Sequence, residues 1–277
     1  MNYETLQVTT DKSVCAIWMN RPEVRNAFNE TAVAELTQAF KAADADKRVR
    51  AVVLAGHGPA FCAGADLNWM KKMSGYSREE NHADAMGLAG MLNTIYMMEK
   101  PTVARVHGPA FAGGMGLVAA CDIAIAAQEA EFCLSEVKLG LSAATISPYV
   151  VAAIGERQAR RYFLTAERFS AAEAFRIGLV HDLAPLSELD ASVNTLLGHL
   201  LSASPAAIAA SKELIRSVAR GAIDQTMIAA TATRIAVARA SAEGKEGIRS
   251  FLEKRRPAWA MDTQAGAKAA AKPGGKK

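Results

Sequence analysis

Thr102-Val-Ala-Arg-Val106 followed by Gly108-Pro-Ala-Phe-Ala-Gly113-Gly114-Met-Gly116 is the stretch on which the fold reading turns. A β-branched run passes through small residues into an Ala-rich segment that ends near Cys121. β-branched residues suit a pleated strand, and glycine allows the close backbone approach that a tight strand-to-helix turn requires. The same unit stands earlier in the chain. Arg50-Ala-Val-Val-Leu-Ala55 reads as a buried strand that enters the loop His57-Gly-Pro-Ala-Phe-Cys-Ala-Gly-Ala65, and Asp66-Leu-Asn-Trp-Met-Lys-Lys-Met73 then reads as a helix. Before both, Val14-Cys-Ala-Ile-Trp-Met19 is a strand ended by Asn20-Arg-Pro22, and Asn29 is placed to cap a helix carrying Val33, Leu36 and Phe40. Repeated strand, loop and helix of this length predict an α/β layer architecture.

The remaining elements follow the same signals. Helical periodicity runs from Arg78 to Glu99 through Met86, Leu88, Met91, Leu92 and Ile95 until Pro101 stops it. Asp122–Ala126 and Glu131–Leu134 read as strands, and from Ile146 onward the pattern is helical. Ser170-Ala-Ala-Glu173 has the form of a capping box, Ser204-Pro205 that of a helix start, and Gly221 that of a C-terminal cap. Helices are expected over Ile223–Ala242 and Glu246–Lys254. The division expected is a core over residues 1–200, a helical segment over 201–260 and a disordered tail over 261–277, where Ala, Gly, Lys and Pro offer nothing to bury.

A chain of 277 residues with 51% hydrophobic and 22% charged composition has ample material for a packed core, which excludes a disordered protein. The formal charge of +4 is mostly tail. Lys268, Lys272, Lys276 and Lys277 stand there against Asp262, so the body carries about +1 and lacks the clustered basic face that nucleic acid needs. The cysteines at 15, 62, 121 and 133 form no CxxC pair and no metal-ligand spacing, and they read as reduced thiols in a cytoplasmic compartment. The opening residues lack a basic region followed by an apolar one, so no signal peptide is expected. No uncharged run reaches the roughly 20 apolar residues of a membrane helix, and no membrane association is expected.

Two turns carry the chemistry, Phe61-Cys-Ala-Gly-Ala65-Asp66 and Phe111-Ala-Gly113-Gly114-Met-Gly116. Small side chains leave backbone N–H groups open to a ligand, and a helix N-terminus favours developing negative charge there. Two such turns together can make a two-donor oxyanion hole, the alternative being that Gly and Ala serve only close helix–strand packing. Glu136, in Phe132-Cys-Leu-Ser-Glu-Val-Lys-Leu-Gly140, lies at the end of an apolar strand, where burial would raise its pKa and suit it to acid or base work. His57 and His107 flank the turns as hydrogen-bonding residues, and Arg157, Arg160 and Arg161 read as a solvated helix face.

Phe61-Cys-Ala-Gly-Ala-Asp-Leu67, the run from Gly108 through Gly113-Gly114 to Cys121-Asp122, and Ser135-Glu136-Val-Lys-Leu-Gly140 resemble, in this order and spacing, the enoyl-CoA hydratase/isomerase (crotonase) family, from about residue 5 to Trp259. The resemblance implies a spiral of ββα units with a helical C-terminal trimerisation segment, acyl-CoA thioester substrates, and a homotrimer or dimer of trimers. It implies that the N–H groups of Ala65 and Gly113 hold the thioester oxygen. Glu136 matches the second of the family's two catalytic glutamates, whereas the first falls on Gly116. Arg25 and Asn26 match the region that holds the nucleotide, and Ala63, Asp66 and Leu67 line the path of adenine and pantetheine. No separate cofactor and no metal are implied, coenzyme A being part of the substrate. Ala65–Met70, Phe111–Val118, Ile146–Val150 with Gly155–Tyr162, and Phe251–Trp259 resemble bacterial methylglutaconyl-CoA and carboxygeranoyl-type hydratases of branched-chain (leucine) catabolism. Hydration of such an enoyl-CoA is therefore expected. A Δ3,Δ2-enoyl-CoA isomerase using one glutamate, and a non-catalytic acyl-CoA- or RNA-binding relative, are the alternatives. Ser135, Ser142 and Thr145 are candidates to hold the water.

Overall fold

The computed structural model describes residues 2–219 and 221–260, so the expected tail over 261–277 lies outside the described residues. Six strands form the main sheet: β1 (Leu6–Asp11), β2 (Val14–Met19), β3 (Ala51–Gly56), β4 (Thr102–Val106), β6 (Ile123–Ala127) and β9 (Asp182–Ala184), in the order β1-β2-β3-β4-β6-β9. Only the β1–β2 pair is antiparallel; the other pairs of this sheet run parallel. β3 and β4 are buried throughout, as parallel strands covered on both faces must be. Alternate residues divide the core. Val14, Val53, Val103 and Ile125 meet Val193, Leu197 and Leu201 of α7 (Leu189–Ser202), whereas Cys15, Ile17, Leu54 and Val106 join the larger cluster on the other face.

A second, smaller sheet has the order β5-β7-β8, with β5 (Ala110–Phe111) parallel to β7 (Glu131–Cys133) and β7 antiparallel to β8 (Phe169–Ser170). Each short strand of the first pair follows a main-sheet strand directly, so the chain runs β4, β5, α4 (Gly113–Ala120) and then β6, β7, α5 (Ser147–Thr165). Cys62, after β3, makes an isolated parallel bridge with Ala110. Three successive units are thereby stacked side by side through Cys62, Ala110 and Phe132, and the loop leaving each opens at the same edge. β1, β5, β8 and β9 carry no clear signal in the sequence because they are short or lie at an edge.

The helices form where their caps and stripes dictate. Asn29 accepts from Ala32 N–H and opens α1 (Glu30–Ala45), whose buried Val33, Leu36 and Phe40 repeat at helical spacing. α3 (Arg78–Met97) begins with a complete capping box between Ser77 and Glu80 and buries Met91, Leu92 and Ile95, while Met86 stays exposed. The box expected at Ser170 forms only in part at the start of α6 (Ala171–Arg176): Ser170 accepts from Glu173 N–H, and the Glu173 carboxylate instead takes Arg176 and the Tyr162 hydroxyl. α7 ends two residues beyond the expected division at 200. α8 (Pro205–Val218) starts at Ser204-Pro205 as expected, but its C-cap is Ala219 and not Gly221. α9 (Gln225–Ala240) and α10 (Ala242–Leu252) complete the described chain. α8 is tied to the body by Lys212, which donates to Asp122 (2.7 Å) and to the Lys100 carbonyl (2.8 Å).

Candidate active site

The two small-residue turns meet at the residues that precede the expected donors. Gly64 has φ +97°, and a Cβ there would lie 3.1 Å from Ala112 Cβ, so only glycine lets the first turn abut the second. Ala112 is the N-cap of α4 with φ 48°, ψ −119°, a sparsely populated conformation for a residue with a side chain, worth about 1–3 kcal/mol of strain. It is held there because its N–H donates to the Cys133 carbonyl (2.8 Å) and its own carbonyl accepts from Met115 and Gly116. Gly113 therefore stands at the first position of α4, with its N–H at the positive end of the helix.

Phe28 fixes the pair from below. It forms a parallel bridge with Ala65, its N–H donating to the Gly64 carbonyl and its carbonyl accepting from Asp66. Its ring lies against Gly113, where a Cβ would fall 2.6 Å from Phe28 Cε2. These hydrogen bonds use the groups on either side of Ala65 N–H and Gly113 N–H, and neither of those two donors takes part in them.

Glu136 opens a short 3-10 turn (Glu136–Leu139) that follows β7, the strand that pairs with β5, after Leu134 and Ser135. Its Oε2 is buried without a hydrogen-bond partner. Burial raises its pKa, and its own backbone N–H offsets this only in part. Of the three hydroxyl residues considered with it, Ser135 and Thr145 are half-buried and Ser142 is exposed.

The expected nucleotide and pantetheine residues divide in two. Asn26 is buried, and its amide is spent internally: Nδ2 donates to the carbonyls of His57 and Ala60, and Oδ1 accepts from Arg21 N–H. Asp66 is the N-cap of α2 (Leu67–Met73), and its carboxylate is bound by Asn68 N–H and by Arg21 (2.8 Å). Burial works to raise its pKa, but Arg21 and the backbone donors outweigh that and hold it below the usual carboxylate range. Both side chains thus brace the loop. Arg25, at φ 55°, and Leu67, 80% exposed, face outward, and Ala63 N–H donates to the Arg25 carbonyl. Arg21 is the residue that sequence reasoning missed. It grips Asp66 and the Ala27 carbonyl at once, and its only sequence signal is a place in the turn Asn20-Arg-Pro22.

His57 bonds Gln7 and stacks on Trp18, and His107 Nε2 donates to the Gly58 carbonyl, so both hold loops. Arg160 and Arg161 pair with Glu156 and Glu167 on an exposed face. All four cysteines are buried and free, and burial raises Cys62 and Cys121 to about 12, beyond nucleophilic use. Among the described residues no three of His, Cys, Asp and Glu converge to hold a metal ion, and no single helix is long and apolar enough to cross a membrane.

The model of the enoyl-CoA hydratase/isomerase family matches residues 9–262. The chain belongs to this family. It is 33% identical to the crotonyl-CoA hydratase of Syntrophomonas wolfei over 92% of this chain and 98% of that one. Among solved structures, the enoyl-CoA hydratase of Shewanella pealeana superposes with a TM-score of 0.91 at 43% identity, covering 93% of this chain and 97% of that one. AtuE of Pseudomonas aeruginosa superposes with a TM-score of 0.89 at 37% identity, covering 93% and 100%. The two sheets with their crossing units are therefore the crotonase fold, and this member of the enoyl-CoA hydratase/isomerase family is an enzyme.

Proposed function

We propose that the protein hydrates the 2,3 double bond of an enoyl-CoA thioester. The observation that carries this reading is Glu136 Oε2, a buried carboxylate oxygen with no hydrogen-bond partner, in the turn that follows the strand paired with β5. A native structure leaves such an atom unpaired at a cost, and a substrate water is a partner it would take. Ala65 N–H and Gly113 N–H hold the thioester oxygen. Glu136 takes a proton from water as the water oxygen bonds to Cβ, and the π pair moves through the thioester to an enolate whose charge the two donors and the α4 dipole stabilise. The enolate then takes the same proton back from Glu136 at Cα, which restores the carboxylate.

Leu67, exposed at the start of α2, is available to pantetheine, and exposed Arg25 to a phosphate. For the acyl group we infer a branched enoyl-CoA of the methylglutaconyl type, which rests on the sequence resemblance. α9 buries none of its side chains within one chain, and Ile223, Val237 and Phe251 stay exposed, which supports assembly through the C-terminal helices as a trimer or a dimer of trimers. Gly116 leaves one carboxylate, and this favours a 3-enoyl-CoA isomerase as the second reading. Hydratase assays with crotonyl-CoA and methylglutaconyl-CoA, run beside a 3-enoyl-CoA isomerase assay, decide: water addition is expected, double-bond migration alone supports the second reading, and no turnover of either kind removes both.

A further inference from the structure

We propose that Ile146 sets the acid–base complement of this site: it fills the volume that a second carboxylate at position 116 would need, and so leaves Glu136 to move both protons. The inference rests on the hydratase reading. Gly116 lies in the interior of α4, where glycine weakens a helix, and its backbone is helical, so no left-handed conformation demands glycine. What demands it is Ile146. A Cβ at Gly116 would fall 2.3 Å from Ile146 Cγ2 and 2.8 Å from Ile146 Cβ, with Leu92 Cδ2 at 3.7 Å behind.

Ile146 has no room to give way. It is buried, it caps α5 with its carbonyl accepting from Tyr149 and Val150, and its branched Cβ restricts its rotamers. Positions 113 and 116 are one turn apart on one face of α4, and side chains on a helix lean toward its N-terminus. The Ile146 methyl group thus occupies the place of a side chain directed toward the Gly113 end of the helix. Gly116 and Ile146, from two different elements, form one complementary pair that puts hydrocarbon where a second acid would stand. With hydrocarbon at this place, Glu136 both removes the proton from water and returns it to Cα.

The test compares wild type, Gly116→Glu, Ile146→Gly and the double variant by thermal unfolding and by the pH dependence of kcat/KM on crotonyl-CoA. Glycine is needed at 146 because alanine keeps the Cβ that clashes. Gly116→Glu is expected to melt well below wild type, and the double variant above Gly116→Glu. The double variant should show a second carboxylate ionisation where wild type shows one. Gly116→Ala with and without Ile146→Gly repeats the coupling with a single methyl, in case glutamate is not tolerated. A Gly116→Ala or Gly116→Glu protein as stable as wild type, a loss that Ile146→Gly does not reduce, or a folded double variant with an unchanged pH profile would overturn the proposal. Wild type inactive on every enoyl-CoA would instead fail the hydratase reading, and the melting comparison would still stand.

Discussion

Replacing Glu136 by glutamine should lower turnover and raise stability in one protein, because the same atom causes both effects. Glu136 Oε2 is buried and unpartnered, so the ionised side chain sits where desolvation opposes its charge. Glutamine keeps the size and leaves a neutral polar atom in that place, so the gain is the difference between charged and neutral burial, about 1 kcal/mol. For a chain of this size that is roughly 2–4 °C in Tm. The pH dependence gives the sign. The folded pKa lies above the unfolded one, so the contribution of Glu136 is most favourable at low pH and is lost as pH rises through the folded pKa. The variant should therefore melt above wild type at about pH 8 and lose that advantage at about pH 4, where both side chains are neutral. Turnover should fall roughly 10²–10⁴-fold, the worth of one general acid-base group, with acyl-CoA affinity retained. The assays are spectrophotometric hydration of crotonyl-CoA and scanning fluorimetry at the two pH values. Near-wild-type turnover would remove Glu136 from the chemistry and turn the search to Ser135, Ser142 and Thr145; an advantage in Tm independent of pH would show that the carboxylate is not desolvated.

Gly114→Ala would set a Cβ 2.5 Å from the Cys62 carbonyl oxygen, a backbone atom that cannot swing aside, and should cost about 1–3 kcal/mol by denaturant midpoint together with a loss of turnover as the two turns part. Asn26→Ala removes three hydrogen bonds beneath the loop and should destabilise by roughly 2–3 kcal/mol, read by the same midpoint. The carboxyl of Asp66 has a lowered folded pKa, so its contribution is present above its unfolded pKa and is lost as pH falls through the folded value; Asp66→Asn should flatten that acid limb of the stability curve. Light scattering at micromolar concentration should find an oligomer, and a stable monomer would argue against burial of Ile223, Val237 and Phe251 between copies.

The motifs were legible because their chemistry is local. Small residues at 64, 65, 113 and 114 mark tight turns wherever the chain goes, and Asn29, Ser204 and the stripe of α1 fix helices through neighbours within one turn. Periodicity likewise found β2, β3 and β4, whose buried runs are long enough to show. Partner choice was not legible. That Glu173 takes Tyr162 and Arg176 in place of the Ser170 backbone, that Asn26 and Asp66 brace a loop, and that Arg21 clamps it are contacts between residues brought near one another only by folding. Gly116 marks the division most clearly. The sequence by itself determined that position 116 carries no side chain, and the family resemblance implied that a glutamate is missing there; it did not show that Ile146, thirty positions on, stands against that position, because two side chains compete for one volume only when α4 and α5 are packed together.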